Sequence, residues 1–183
     1  MIDSIKSNLK PYTIRRLRKN ETIKSFDCGD DDLNDFILNR AGDYDKTKLS
    51  VTYVFEHKVS GRIIGYFSLA NDKISINDFN NNTEFNRFRR HRFRNEKRIK
   101  SYPAVKICRL GIDSSFQGYG IGRKLINFIK LYHTKGNKAG CRFITVDAYS
   151  EAVTFYERNR FQCLNICNER SHLLYYDLNE IVA

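Results

Sequence analysis

Three glycines alternate with other residues just before a helical pattern. In the stretch "DSSFQGYGIGRKLI" (residues 113–126) these are Gly118, Gly120 and Gly122. The first turn of a helix presents backbone N–H groups that have no acceptor within the helix, and residues without Cβ let anionic oxygens approach these groups. The spacing therefore predicts either a loop that binds a phosphate-like anion or a tight strand-to-helix turn that needs positive φ angles.

Two common phosphate-binding loops do not fit this stretch. A P-loop requires serine or threonine after its lysine, where this chain has Leu125, which argues against a nucleotide triphosphatase. In the dinucleotide fingerprint the third glycine would stand where this chain has Arg123. The stretch does match the pattern Gln/Arg-x-x-Gly-x-Gly/Ala, which is formed here by Gln117, Gly120 and Gly122.

The surrounding chain alternates between strand and helix patterns. Apolar periodicity predicts helices at 31–44, about 120–134 and 150–159, and a hairpin that turns at Ser60 and Gly61. The predicted strands are residues 12–18, 50–57, 62–70, 104–112, 142–148, 161–167 and 172–178. Strands interleaved with helices, with hairpins at both ends, predict an α/β (α+β) fold in which helices cover a mixed sheet. With 183 residues and no linker composition, we expect one domain, 1–183.

Two segments together carry a family resemblance. "CRLGIDSSFQGYGIGRKLI" followed by "ITVDAYSEAVTFYERNRF" resembles the cofactor strand, the cofactor loop and the C-terminal signature of the GNAT N-acetyltransferase superfamily. The resemblance implies a mostly antiparallel sheet of six to seven strands, acetyl-CoA as acetyl donor, and Tyr156 as the acid that protonates the departing thiolate. The implied cofactor-binding residues are Leu110, Gly111, Ile112, Gln117, Gly118, Tyr119, Gly120, Ile121, Gly122 and Arg123.

The N-terminal half is similar to one branch of that superfamily. "FDCGDDDLNDFILNRA" and "TYVFEHKVSGRIIGYFSLAN" resemble the acetyltransferase toxins of bacterial toxin-antitoxin pairs, which acetylate the α-amine of aminoacyl-tRNA. The chain departs from these toxins by a basic insert at about 71–102 and by "RLG" at 109–111, where "RLA" is common. A protein antitoxin and a homodimer remain open as partners, and no membrane partner is expected.

The chemistry of acetyl transfer gives some of these residues a role independent of the family. The reaction needs a neutral amine, donors for a developing oxyanion and an acid for the thiolate. A phenol with a pKa near 10 can protonate a thiolate of comparable basicity, whereas the alternative is that Phe155 and Tyr156 simply pack their helix. A bulge eased by Gly111 would expose strand amides to the oxyanion, and an assignment to Leu110–Ile112 fails if this strand pairs fully.

No obvious general base is present. The strand "AVKICRLGI" contains no Glu or Asp. An α-amine with a pKa near 7.7–8.0 is partly neutral without help, whereas a lysine amine near 10.4 is not. The sequence therefore favours an α-amine acceptor, or a base elsewhere such as Asp147 or Glu151, for which surface or capping roles remain the alternative.

Positive charge is concentrated in one segment. Residues 87–100, "RFRRHRFRNEKRIK", hold eight Lys or Arg and one Glu, a net charge of +7 out of +11 for the chain. Phe85, Phe88, Phe93 and Ile99 would share one face of a helix, which predicts an amphipathic helix whose basic face is suited to phosphate backbones. The predicted substrate-binding residues are Arg89, Arg90, Arg92 and Arg94, and the N-terminal basic side chains Arg15, Arg16, Arg18 and Lys19 could extend this face.

Other features limit the interpretation. Five dispersed cysteines and four dispersed histidines indicate no metal site. The absence of a signal-peptide run and of an apolar stretch of membrane-spanning length leads us to expect a cytoplasmic protein. Two alternatives stay open: an acetyltransferase for a small amine or a protein N-terminus, and a cofactor- or nucleic-acid-binding module that has lost catalysis.

Overall fold

The computed structural model describes residues 11–90, 92–93, 99–135, 139–168 and 170–181. In its first half, strands β1 (Tyr12–Arg16), β2 (Val51–His57) and β3 (Ile63–Ser75) accompany a helical stretch. This stretch consists of α1 (Asp31–Asp35), a π-helical segment (Phe36–Arg40) and α2 (Ala41–Lys46). Asp30 caps α1 by accepting a hydrogen bond from the Leu33 N–H at 3.0 Å, which satisfies one of the free donors at its first turn.

The second half contains four strands and three helices of two turns or more among the described residues. Helix α3 (Asn82–Arg89) precedes β4 (Ser101–Ile112), and α4 (Ile121–Thr134) follows it. Next come β5 (Phe143–Tyr149), α5 (Ser150–Arg158), β6 (Gln162–Asn168) and β7 (Ser171–Asp177).

The strands form a seven-stranded sheet in the order β1-β2-β3-β4-β5-β7-β6. The pairs β1–β2, β2–β3, β5–β7 and β6–β7 are antiparallel, and β4–β5 is parallel. The predicted hairpin is present, with Gly61 at a φ of +68° in the turn between β2 and β3. The fold prediction is confirmed, and β3 runs five residues further than its predicted end at residue 70.

The chain divides into two compact units. The first comprises Met1–Ala70 with Ile107–Leu131, and the second comprises Asn71–Lys106 with Tyr132–Ala183. In the first unit Phe36, Ile37, Val54 and Tyr66 belong to a buried apolar cluster. A separate cluster in the second unit consists of Ile74, Phe85, Tyr102, Ala104, Phe143 and Tyr175.

Candidate active site

The glycine loop is a turn that only glycine adopts easily. Gly118 and Gly120 have φ angles of +79° and +73°, and a Cβ built on either residue would meet no atom within 4 Å. Backbone conformation, rather than close packing against the protein, therefore requires these two glycines. Gly122 differs, since it lies within the first turn of α4.

The loop leads directly into the amides of a helix start. The Lys124 N–H donates to the Gly120 carbonyl at 3.1 Å, so the N–H groups of Ile121, Gly122 and Arg123 precede this hydrogen bond. Such amides have no acceptor within the helix and lie at the positive end of its dipole. The exposed side chains of Arg123 and Lys124 add positive charge in the same turn. This arrangement fits an anionic group such as a pyrophosphate.

Gln117 holds the loop in place. Its side-chain amide donates to the Cys28 carbonyl at 2.8 Å and to the Ile112 carbonyl at 3.0 Å. Ser114 makes a parallel connection, since its N–H and its hydroxyl both donate to the Asp27 carbonyl. The Gln117 side chain is thus engaged by the protein, which indicates that it shapes the loop. Sequence alone could not show this role because Cys28 is 89 residues away.

An ion pair supports the same loop from its N-terminal side. The Asp113 carboxylate, nearly buried, accepts from Arg62 Nη2 at 3.1 Å and from the Ser115 N–H at 3.0 Å. The Arg62 guanidinium also lies 5.0 Å from the centre of the Phe116 ring. A cavity of about 510 Å³ opens beside this cluster, lined by Ser25, Phe26, Asp27, Leu38, Arg62, Asp113, Ser114 and Ser115.

The C-terminal end of β4 lies beyond the residues of this strand that pair with β5. The register of the two strands contains three pairs, Ala104 with Phe143, Val105 with Ile144 and Lys106 with Thr145, all N-terminal to Leu110–Ile112. Gly111 has a packing reason for its identity, because an added Cβ would lie 2.8 Å from Cε1 of Tyr66. The assignment of Leu110–Ile112 to the oxyanion and the pantetheine arm therefore stays a prediction, and Gly111 is explained by the approach of the Tyr66 ring.

Tyr156 is a buried phenol on α5. Only 6% of it is exposed, and its ring packs edge-on against Phe155 at 5.1 Å and Phe161 at 5.3 Å between centroids. Burial raises the pKa of the Tyr156 phenol above its usual value near 10, so the group stays protonated at neutral pH. The packing and the acid role are compatible, because the packed rings hold the phenol in one place and burial keeps it protonated.

The candidate base Asp147 is already paired. Its carboxylate forms an ion pair with the Lys106 ammonium across the β4–β5 pairing. Glu151, in the first turn of α5, is exposed. The structure therefore does not identify either residue as the general base.

The basic segment, residues 87–100, is not one amphipathic helix. Helix α3 ends at Arg89, and Arg90 has a ψ of 129°, outside the helical region. Like charges three and four residues apart repel each other along a helix, which disfavours its continuation through this arginine-rich sequence. Phe85 and Phe88 lie on α3, whereas Phe93 and the 40% exposed Ile99 lie beyond it.

Aromatic side chains nevertheless pack this segment against the rest of the second unit, to which it belongs. Phe88 packs against Phe143 and Tyr175, with centroids 5.5 and 5.3 Å apart. Phe93 stacks on Tyr102 at 3.9 Å with an interplanar angle of 12°. Phe88 and Phe93 of the predicted apolar face therefore do pack against the rest of the second unit, although one continuous helix does not carry them.

The four predicted substrate-binding arginines have different surroundings. Arg89 lies over the Phe85 ring and donates to the Ile99 carbonyl at 3.3 Å. Arg92 contacts several residues of the second unit, Arg90 is exposed, and Arg94 lies outside the described residues. Arg87 is also exposed, and sequence reasoning missed it as a candidate although it lies three residues before Arg90.

Of the N-terminal basic side chains, Arg15 and Arg16 are paired with carboxylates, whereas Arg18 and Lys19 are exposed. Arg15 forms ion pairs with Glu21 and Glu56, each at 2.6 Å, and Arg16 pairs with Asp45. Both charges are compensated, so an extension of the basic surface through Arg15 and Arg16 is not supported. Within the described ranges, no group of three His, Cys, Asp or Glu residues could hold a metal ion, and no helix is long and apolar enough to cross a membrane.

The sheet order, the glycine loop before α4 and the buried tyrosine on α5 together describe an acetyltransferase fold. A family model described as "Acetyltransferase (GNAT) domain" matches residues 48–163, and the chain belongs to this family. The resemblance identified from the motifs is thereby confirmed, and acetyl-CoA is the expected acetyl donor.

Several solved structures are similar over nearly the whole chain. AtaT complexed with acetyl-methionyl-tRNAfMet is 25% identical, with a TM-score of 0.75 over 93% of this chain and 97% of that chain. AtaTR bound with acetyl-CoA is 25% identical, with a TM-score of 0.73 over 94% and 97%. A mutant AtaT toxin bound to acetyl-CoA and the C-terminus of the antitoxin AtaR is 23% identical, with a TM-score of 0.71 over 93% and 96%.

Proposed function

We propose that this chain is an acetyl-CoA-dependent N-acetyltransferase that acetylates the α-amine of aminoacyl-tRNA and blocks translation as a toxin. The observation that carries the proposal is the glycine loop at the start of α4, within a chain whose family is the GNAT acetyltransferases. Support for the acceptor comes from AtaT, which was solved with acetyl-methionyl-tRNAfMet. The basic segment supplies a second, independent reason to expect a polyanionic substrate.

The loop residues bind the donor. The amides of Ile121, Gly122 and Arg123 receive the pyrophosphate oxygens, and Gly118 and Gly120 give the loop the conformation that exposes these amides. Tyr119 lies between the two glycines with 75% of its surface exposed, so it is available to the same ligand. Bound acetyl-CoA supplies the thioester that is cleaved.

The oxyanion donors lie before the glycine loop, at the end of β4, and the acid lies after the loop, on α5. Backbone N–H groups of Leu110–Ile112 stabilise the negative charge on the carbonyl oxygen when the amine attacks the carbonyl carbon. Tyr156 gives its proton to the sulfur as the carbon–sulfur bond breaks, and the attacking nitrogen loses its extra proton to solvent. Burial raises the pKa of the phenol, and the same dry surroundings raise the pKa of a thiol that lies next to it, which keeps the proton transfer balanced.

The missing base is consistent with an α-amine acceptor. An α-amine, with a pKa near 7.7–8.0, is partly neutral at neutral pH and can attack without a side chain to deprotonate it. β4 carries no carboxylate that could deprotonate a lysine substrate. This feature favours aminoacyl groups over lysine side chains as acceptors.

The proposal also covers the domain organisation of the enzyme and the compartment in which it acts. The similarity to solved structures covers 93–94% of the chain, which supports one acetyltransferase domain. That residues 71–102 are an insert stays a prediction from the sequence. Acetyl-CoA and charged tRNA are both cytoplasmic, so we propose that the enzyme acts there. An antitoxin partner is proposed on the similarity to AtaT, which was solved with the C-terminus of the antitoxin AtaR, and a homodimer stays a prediction from the sequence.

One experiment tests the reaction and the acceptor class together. The purified chain is incubated with acetyl-labelled acetyl-CoA and, in parallel, with charged tRNA, uncharged tRNA, polyamines and peptides with free N-termini. We expect label on charged tRNA only, and we expect it to be released from the tRNA with the amino acid by mild base. Tyr156→Phe serves as the matched inactive control.

Each other outcome has a distinct meaning. Label on polyamines or peptides but not on charged tRNA would keep the acetyltransferase and reject the tRNA acceptor. Binding of acetyl-CoA without transfer to any acceptor would reject catalysis and favour a binding module.

A further inference from the structure

Arg92 lies at the centre of a network that joins the basic segment to β7 within the second unit. Its Nη2 donates to the Tyr175 hydroxyl at 3.1 Å, and its Nη1 lies 4.0 Å from Oδ2 of Asp177. The same guanidinium lies 4.5 Å from the centre of the Phe88 ring and 5.5 Å from that of Tyr175. The planar group is therefore engaged at one edge by the Tyr175 hydroxyl and on its face by two rings, while 29% of the side chain stays exposed.

The partners of Arg92 are themselves fixed. Tyr175, 5% exposed, donates its hydroxyl proton to Oε1 of Gln162 at 2.6 Å. Asp177 accepts from Nη2 of Arg142 at 2.9 Å, and the Arg142 guanidinium lies 5.1 Å from the centre of the Phe93 ring. Two arginines and two phenylalanines thus interleave around a single nearly buried carboxylate.

Two arginines of the same segment have the opposite character. Arg87 and Arg90 are exposed, and their guanidinium groups form no hydrogen bond or ion pair with the residues that the structure describes. Arg90 follows the end of α3 by one residue, and Arg87 lies in its last turn. Both side chains are charged and exposed to solvent. Arg92 and the phenylalanines hold the backbone to which these side chains are attached.

We propose that Arg92 is a positioning residue, which with Tyr175 and Asp177 fixes the basic segment so that Arg87 and Arg90 contact the phosphate backbone of the substrate. The inference rests on the proposed tRNA acceptor and deepens it. A surface that is ordered before binding loses less conformational freedom on binding. Its charges therefore contribute to affinity at a lower entropic cost. The roles within the segment differ from those expected from sequence, because Arg92 acts through its neighbours and Arg87 contacts the ligand.

The decisive variant is Tyr175→Phe, because the buried hydroxyl of Tyr175 cannot reach an RNA backbone. We expect it to raise the KM for charged tRNA by roughly fivefold to tenfold with kcat unchanged, a coupling of usual size for contacting residues. Arg92→Ala should have a similar effect, and the double variant should be no worse than either single variant. Because Tyr175 acts on KM through Arg87 and Arg90, Tyr175→Phe should add little to the effect of the double variant Arg87→Ser/Arg90→Ser.

A second variant protects the test against misfolding. Arg92→Lys keeps the positive charge but cannot stack on two rings and bond to Tyr175 at the same time. We expect its KM to match that of Arg92→Ala. A wild-type KM for Arg92→Lys or for Tyr175→Phe would overturn the positioning role and return Arg92 to a simple phosphate contact.

A measurement without substrate separates this inference from the proposed function. Amide hydrogen exchange over residues 84–93 of the free protein should be faster in Arg92→Ala and Tyr175→Phe than in the wild type, and unchanged in Arg90→Ser. If the wild type does not acetylate charged tRNA, the proposed acceptor fails while the exchange result still stands. Equal exchange in all four proteins would overturn the positioning role whatever the substrate is.

Discussion

The side-chain amide of Gln117 bridges the carbonyl oxygens of Cys28 and Ile112, at 2.8 and 3.0 Å. One side chain thereby ties the glycine loop to the segment before α1 and to the end of β4. The position of the amides that receive the pyrophosphate thus depends on a residue whose own amide faces the protein.

Replacing Gln117 should weaken acetyl-CoA binding indirectly. Gln117→Ala removes two hydrogen bonds, each worth about 0.5–1.5 kcal/mol, and should lower both the melting temperature and the affinity for acetyl-CoA. Gln117→Glu keeps the size but cannot donate, so it should behave like the alanine variant. Calorimetric titration and thermal unfolding measure the two effects. A loss of affinity with an unchanged melting temperature would mean that Gln117 contacts the ligand itself.

Gly120→Glu should abolish acetyl-CoA binding. The substitution places a side chain at a φ of +73°, which costs about 1–2 kcal/mol, and adds a negative charge beside the pyrophosphate. Gly42→Ala, in α2, is the control, because a Cβ there meets no atom within 4 Å and helix propensity should gain up to about 1 kcal/mol. Calorimetry on both proteins checks the prediction. Wild-type affinity in a folded Gly120→Glu protein would remove the loop from the donor site.

Tyr156→Phe should keep acetyl-CoA affinity and lose turnover. The ring still packs between Phe155 and Phe161, while the loss of the proton should slow transfer by roughly 10²- to 10⁴-fold, the usual contribution of a general acid. Tyr176→Phe, another buried tyrosine whose ring contacts Phe161, is the matched control and should retain turnover. Single-turnover kinetics measure the chemical step directly. Near-normal rates for Tyr156→Phe would leave this residue a packing role only.

The exposed arginines should determine the salt dependence of tRNA binding. Replacing Arg87 and Arg90 with Ser should lower the slope of log affinity against log salt by about 0.7–0.9 for each phosphate that is no longer neutralised. Lys73→Ser combined with Arg158→Ser removes the same charge from exposed positions elsewhere in the second unit and should leave the slope nearly unchanged. Filter binding over a range of salt concentrations provides both slopes. If the two double variants behaved alike, net charge alone would explain the binding.

His133 should make the protein sensitive to mild acid. Burial lowers the pKa of this imidazole below its usual 6.5, and its Nε2 is a buried atom without a hydrogen-bond partner among the described residues. The unfolded chain therefore binds more protons than the folded chain below about pH 6.5, so stability is full above this pH and falls as the pH decreases. Melting temperatures at pH 7.5 and 5.5 should differ less in His133→Gln than in the wild type. An equal difference would exclude His133 as the cause.

Local patterns in the sequence predicted the elements that position the site. The alternation of apolar residues identified β4, and Ile121, Leu125 and Ile129 at helical spacing identified α4, in which all three are buried. Tyr132 continues the same helical spacing but is 49% exposed, so the apolar pattern extends beyond the part of the helix that is buried. The turn at Gly118 and Gly120 could also be predicted from sequence, because glycine adopts positive φ angles more easily than other residues do.

The side-chain roles were less predictable because they depend on distant partners. Arg92 meets Tyr175, which lies 83 residues later, and no local pattern distinguishes this arginine from Arg90. The periodicity of Phe85, Phe88 and Phe93 did indicate that these side chains belong to one apolar face. It also suggested a continuous helix, because apolar spacing does not account for repulsion among closely spaced arginines.

The two positive φ angles of the glycine loop also make it selective for handedness. A D-amino acid favours the backbone region that Gly118 and Gly120 occupy, whereas an L-amino acid is strained there. Semisynthetic D-alanine at Gly120 should therefore preserve the turn, and it should raise stability by restricting the unfolded chain. Any loss of acetyl-CoA affinity in that protein would then report the space that the ligand needs, separately from the conformation that the backbone needs.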